Sequence, residues 1–424
     1  MLLEFSVKNF LSFRDEVTLS LEKGNGNENI NNVFIEDEYE VLKNAAIYGA
    51  NSSGKSNLLK ALSCAILMVR NSNTIPVNGR WNLIKPFLFD EDSRKKPSEF
   101  KFVFLVNKVR YIYYFSATSE KIYDESLEAY YSQKPTNIFI RKNTTEYEFN
   151  SDKLKLTEIA RVNTENKLFL STATTWNYEK TKDAFLWFAT GIDTYSSFEN
   201  ISSDDLINYS KNTDNIVEFA VKLLNESDIL IKDIKVDYEE KEMDESMMNM
   251  LLPPLARRNN PPKISNVNIE LYHEIVDEEG NKKYYPIKIN DESFGTMALF
   301  AFAPFLKRAF EETKVIIVDE IERSLHPSLV EYIIRLFNNE KINKVNSQLI
   351  FTTHATNLLS LNLLRRDQIW FTEKNSKNGA SDLYSLDSFS VRKEENIQKG
   401  YINGRYGAIP FIRDTDSWLE ESKD

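Results

Sequence analysis

The sequence predicts an α/β fold: a mixed sheet with an antiparallel β-subdomain, split by an inserted helical lobe. Three observations predict it. Strands alternate with helices at both ends of the chain, an aromatic stretch alternates as strands do, and the residues after it carry helical spacing.

The first fifty residues read as strands, with Leu3, Phe5 and Val7 on one face and Val17, Leu19 and Leu21 on another. The apolar run AAIYG (45–49) ends in glycine. Lys55 to Val69 then carries helical apolar spacing through Leu58, Leu59, Leu62, Ile66 and Val69. Residues 100–131 are aromatic-rich and alternating, with Asn107-Lys108 as a hairpin turn. Residues 176–228 change to helical character, clearest in WNYEKTKDAFLWFA and NIVEFAVKLL. From Glu239 to Pro262 no period is sustained, and a loop is expected. A second hairpin, VNIELYHEIVDEEGNKKYYPIKI, turns at Glu279-Gly280-Asn281 and leads to INDESFGTMALFAF (289–302), read as a buried helix from Met297 onward. The strand KVIIVDE (314–320), the helix PSLVEYIIRLF and the strands QLIFTTH (348–354) and QIWFTE follow. The expected division is 1–170 as an N-terminal lobe, 171–238 as the helical insertion, 239–263 as a loop and 264–424 as a C-terminal lobe. No internal repeat is visible.

Composition bounds the function. An apolar fraction of 42% with 27 Phe and 20 Tyr marks a globular chain, and one cysteine, Cys64, leaves no disulfide framework. The N-terminus lacks the order of a signal peptide and no apolar run is long enough to cross a bilayer, so a cytoplasmic protein without a membrane partner is expected. The net charge of −11 repels nucleic acid, so a polyanion could meet only a local patch such as Arg94-Lys95-Lys96 or Arg257-Arg258. Runs this short are more often solvated loop.

GANSSGKS (49–56) matches GxxxxGK(S/T) between a strand and a helix. Its glycines let backbone N–H groups turn inward around phosphate oxygens at a positive helix end. In this pattern Lys55 reaches the β- and γ-phosphates and the Ser56 hydroxyl ligates Mg²⁺; the alternative is an ordinary glycine-rich turn. KVIIVDE delivers Asp319, which would hold Mg²⁺ through water, and Glu320, a candidate general base, to the C-terminal edge of a buried strand. His354 ends a neighbouring strand, where it could meet a γ-phosphate or its water.

Phosphate loop, Ser-x-Gly-Thr before a helix, Asp-Glu, Leu-His-Pro and strand-end histidine follow in that order. The order resembles the ABC-class ATPases of the SMC, RecF and OLD lineage and spans both ends of the chain. The resemblance implies an ABC-type ATPase head with ATP and Mg²⁺ as ligands. GANSSGKS corresponds to Walker A, so Gly49, Asn51, Ser52, Ser53, Gly54, Lys55, Ser56 and the following Asn57 would hold the nucleotide. VIIVDE corresponds to Walker B, SLHP (324–327) to the D-loop, His354 to the switch histidine and ESFGT (292–296) to the signature. Through the signature, Ser293, Gly295 and Thr296 would contact ATP held by a second copy, giving an ATP-sandwiched homodimer or a higher oligomer. Phe294 and Thr296 depart from the usual Leu-Ser-Gly-Gly-Gln. No glutamine sits convincingly at the Q-loop, for which Ser171 is the substitute.

Ser-x-Gly-Thr, KPFLFDEDSRKKPSEFKFVF, DEIERSLHPSL and NIQKGYINGRYGAIPFI look like the RloA and AbiL-like ATPases associated with restriction islands and abortive phage infection. That branch implies a sensor or motor subunit of an anti-phage system. It would control a separately encoded effector and answer to a phage-derived trigger or nucleic acid. GYINGRYGAIP (400–410) would then be a contact surface. A DNA-repair ATPase of RecF or SMC type is the alternative, although no heptad insertion is present. An OLD-type nuclease is not expected, because 70 residues follow His354 and Asp414-Thr415-Asp416 reads as a solvated tail.

Overall fold

Parallel strands carry the glycine-bounded loop. In the computed structural model, which describes residues 1–195, 201–227, 229–242, 263–323, 325–392 and 395–410, these are β1 (Asn44–Gly49), β2 (Val315–Val318), β3 (Gln348–Thr352) and β4 (Ile369–Lys374). They lie in the order β2-β3-β1-β4, with Ile192–Tyr195 parallel beside β2 and Ser381–Ser385 antiparallel beside β4. Every residue of β1, β2 and β3 is buried, as parallel strands covered on both faces require. Because the strands are parallel, Gly49, Val318 and Thr352 end at one edge.

Helix α1 (Lys55–Asn71) follows β1 and buries Leu58, Leu59, Leu62, Ile66 and Val69 together with Ala61, Ala65 and Met68. This stripe is wider than a surface helix needs, because α1 sits within a core that also holds Phe100, Phe102, Phe104 and Phe115. Those aromatics belong to a seven-stranded antiparallel sheet running from Glu146–Glu148 to Val17–Ser20. The hairpin turns at Asn107 and Lys108, whose φ angles of 49° and 65° are the positive pair a type I′ turn needs.

Two compact units result: Met1–Tyr195, Ala309–Arg323 and Val330–Asp424 form the larger, Ser196–Arg308 and Ser324–Leu329 the smaller. The division falls after Tyr195, not at 171. Packing explains the difference: Trp187 stacks on Phe104 at 4.1 Å and Phe188 meets Phe102 at 5.0 Å, which holds the helices Phe169–Thr175 and Glu179–Thr190 in the larger unit.

The smaller unit has helices Ser203–Lys211 and Ile216–Asn225 and a three-stranded antiparallel sheet of Ile231–Glu242, Lys263–Val276 and Lys282–Lys288. The expected helical lobe therefore ends before 231, where burial of Ile231, Ile234 and Val236 supports a strand. Residues 239–242 and 263 of the expected loop are strand as well, and 243–262 lie outside the described residues. Helix α2 (Phe294–Glu311) starts three residues before the expected Met297. Tyr209 stacks on Phe300 at 4.3 Å and donates to its carbonyl at 2.7 Å. Among the described residues no helix is long and apolar enough to cross a membrane.

Candidate functional site

The loop between β1 and α1 is shaped by its two glycines. Gly49 has φ 156° and a Cβ there would lie 2.5 Å from the Thr372 carbonyl oxygen; Gly54 has φ 123° and would meet Ser381 Oγ at 2.7 Å. Both close approaches come from the β4 side, where Ser53 shares a 2.6 Å hydrogen bond with Thr372 and Ser381 donates to the Ser53 carbonyl at 2.6 Å. Asn57 donates to Ser12 at 2.9 Å. Asn51 and Ser52 are exposed, whereas Ser53, Gly54 and Lys55 are buried. Gly54 precedes α1 with no side-chain cap, so the first N–H groups of the helix are available to an anion.

Lys55 donates to the Gly49 and Ala50 carbonyls at 2.7 and 3.1 Å. Burial pulls its ammonium below the usual lysine range, against the pull of Glu320, Glu322 and Asp319. On the other side of β1, Ser56 donates to Asp319 Oδ1 at 3.1 Å and Thr352 donates to the same oxygen at 2.5 Å. The Ser56 hydroxyl and the Asp319 carboxylate are the oxygen donors that Mg²⁺ takes, Ser56 as a ligand and Asp319 through water, so this pair would suit such an ion. Among the described residues no group of three His, Cys, Asp or Glu side chains could hold a metal alone. A cation here would need phosphate oxygens as well.

Glu320 is exposed and has a φ of 50°, a left-handed conformation costing roughly 1–3 kcal/mol in a residue with a side chain. Its N–H donates to Thr352 Oγ1 at 2.7 Å, which pins that geometry. His354 lies at the rim. Partial desolvation, and then repulsion from Lys55, hold its imidazole below the usual histidine range, with Glu322, Glu320 and Asp319 acting the other way. Lys55, Ser56, Asp319, Glu320 and His354 thus share one sheet edge.

A family model described as "AAA domain, putative AbiEii toxin, Type IV TA system" matches residues 45–360, from β1 to just past His354. The chain belongs to this AAA domain family. It is also similar to a solved structure titled "Crystal structure of the SmcHead bound to the C-winged helix domain of ScpA", at 16% identity and a TM-score of 0.36 over 91% of this chain and 97% of that one. No curated protein matches.

Other expectations for this AAA domain change. Ser171 is fully buried and donates to the Val69 carbonyl at 2.8 Å. Val69 lies about 21 Å along α1 from Lys55 at 1.5 Å per residue, so Ser171 does not stand at the phosphate loop. Tyr401 and Tyr406 of GYINGRYGAIP are buried, stacking on Phe371 at 5.4 and 5.9 Å, so these two line the core, while Ile402, Asn403, Arg405 and Ile409 of the same segment are exposed. Ser324 and Asp414-Thr415-Asp416 lie outside the described residues. In the smaller unit, Ser293 Oγ accepts the Thr296 N–H at 3.1 Å and pairs with its hydroxyl at 2.8 Å, an N-cap that explains the early start of α2 and puts Gly295 in the first turn. Glu292 beside it is held by His273 at 2.6 Å.

Thr352 is the residue that sequence reasoning missed. Its signal was weak: a polar side chain ending the buried run QLIFT, meaningful only once β3 is known to lie between β1 and β2.

Proposed function

We propose that this AAA-family chain is an ABC-class ATPase that binds Mg²⁺–ATP at GANSSGKS and hydrolyses it at the edge shared by β1, β2 and β3. The observation that carries the reading is the convergence of Lys55, Ser56, Asp319, Glu320 and His354, with the Ser56–Asp319 pair at 3.1 Å. Backbone N–H groups of the loop and Lys55 hold the phosphates. Ser56 and Asp319 hold Mg²⁺, which would neutralise charge on the β- and γ-phosphate oxygens when bound. Glu320 takes a proton from water as its oxygen attacks the γ-phosphorus and the bond to the ADP oxygen breaks. His354 donates to the γ-phosphate.

In this reading Ser293, Gly295 and Thr296 contact ATP bound by a second copy, so ATP joins two chains. The dimer is the cytoplasmic sensor or motor subunit of an RloA- or AbiL-like anti-phage system and controls a separate effector. The family's description as part of a type IV toxin–antitoxin system supports a defence role. The test is the Glu320→Gln chain, expected to bind ATP, to lose about 1,000-fold in turnover and to accumulate as a dimer. A monomer at saturating ATP would sink the composite site. Loss of phage protection is expected for Lys55→Ala in a strain that the wild type protects.

A further inference from the structure

Glu322 lies two residues past Glu320, outside the residues given a role above. Its Oε1 accepts the His354 main-chain N–H at 2.5 Å across 32 residues of sequence. Its Oε2 is buried and finds no hydrogen-bond partner among the described residues. A buried side-chain oxygen without a hydrogen-bond partner costs energy, and such a group calls for a role that offsets the cost. Lys55 and His354 both feel that charge.

The bond to His354 completes a series. Glu320 N–H donates to Thr352 Oγ1 at 2.7 Å and Ile321 N–H donates to the Thr352 carbonyl at 3.1 Å; Glu322 then takes the N–H of His354. Three consecutive residues after β2 are thereby tied to the chain leaving β3. Past the strand end of β2, one main-chain bond and two side-chain acceptors continue the pairing. Arg323 N–H closes the turn on the Glu320 carbonyl at 2.7 Å.

Resting on the reading that this edge hydrolyses ATP, we infer that Glu322 is a positioning residue. It locks the His354 main chain to the turn that carries Asp319 and Glu320, so that imidazole and general base keep one geometry. It acts through His354 and touches no reacting atom. A carboxylate suits the task because it accepts the N–H strongly and adds negative charge beside Lys55 without entering the phosphate loop.

The experiment compares Glu322→Ala, Glu322→Gln, His354→Ala and the Glu322→Ala/His354→Ala double variant with the wild type in Mg²⁺–ATP turnover. Amide hydrogen exchange at His354 is followed without nucleotide. For Glu322→Ala, kcat is expected to fall about 100-fold, the cost of a misplaced catalytic group, with KM within about threefold. Glu322→Gln still offers an oxygen to the His354 N–H and is expected to recover to within about tenfold of wild type. The double variant is expected to be no slower than His354→Ala, since both changes remove one function. Faster exchange at His354 in Glu322→Ala supports the anchor directly. Full kcat in Glu322→Ala, losses that multiply in the double variant, loss of ATP binding or unchanged exchange each overturn it. A wild-type chain that turns over no ATP overturns the reading of the site itself; wild-type turnover beside a full-rate Glu322→Ala overturns the anchor alone.

Discussion

Glu125 and Asp319 are both acids in the larger unit with a basic side chain nearby, yet they differ in how many bonds are left to make. Glu125 is fully buried and accepts from the Phe169 and Leu170 N–H groups at 2.6 and 2.9 Å and from the Tyr113 hydroxyl at 2.9 Å. Arg141, 3.7 Å away, spends its own donors on the carbonyls of Thr144, Lys167 and Glu165. Around Asp319, by contrast, Lys55 holds only carbonyls of its own loop, Asn51 and Ser52 face solvent, and Glu320 is exposed in a strained conformation. A saturated cluster serves the architecture; an unsaturated one leaves room for a ligand to complete it.

The largest effect should come from breaking the saturated cluster. Glu125→Ala leaves Arg141 buried without its carboxylate and is expected to cost about 3–5 kcal/mol in denaturant unfolding, while folded molecules keep their ATP affinity. Lys55→Ala should do the reverse, lowering ATP affinity about 100-fold with no loss of melting temperature, since a buried ammonium is removed. An equal loss of stability in both would erase the distinction. Titration sharpens it further. Burial raises the Glu125 carboxyl above the usual glutamate range, against Arg141 and the N–H donors, so the native state binds more protons than the unfolded one. That contribution is complete below the ordinary glutamate value of the unfolded chain and is lost as pH rises through the raised native one. The stability advantage of wild type over Glu125→Gln should therefore shrink as pH climbs from 4 toward neutrality; a growing advantage would reverse the assignment.

Thr352 tests the unsaturated cluster from within. Its hydroxyl serves Asp319 and the Glu320 N–H together, so Thr352→Val should lower kcat about 10- to 100-fold with a stability loss near 1 kcal/mol. A loss of stability with kcat intact would make Thr352 a strand-end cap and nothing more.

Why Thr352 escaped the sequence while GANSSGKS did not is a matter of range. Glycine spacing, a buried β-branched run and the Asn107-Lys108 turn are local, and the structure places β1, α1, β2, β3 and that turn where local chemistry puts them. Thr352 and Glu322 gain meaning from strand order, which sets β3 between two segments some 270 residues apart in sequence. Glu125 is hidden for a related reason. In YDESLE it looks like a solvated strand residue, and only the arrival of Arg141 and the helix at Phe169 shows that its face is the core. The helix α2 starts ahead of the expected Met297 because the Ser293 hydroxyl caps the Thr296 N–H, a contact that apolar spacing does not register.

Ser293 gives the smallest and most discriminating test. By the bonding criterion it is saturated, since its hydroxyl already serves Thr296; by resemblance it belongs to a signature that reaches a second copy's ATP. Both can hold if the capped geometry is what presents the end of α2. Ser293→Ala should then cost about 1 kcal/mol of stability, the usual value of an N-cap, and also weaken ATP-dependent association, read by sedimentation of the Glu320→Gln chain. Thr296→Val separates the two roles, because it removes a hydroxyl partner while the Ser293 cap on the Thr296 N–H survives. If association persists in Ser293→Ala at full strength, Ser293 is a cap alone, and saturation outranks resemblance as the guide to which polar residues in this chain do chemistry.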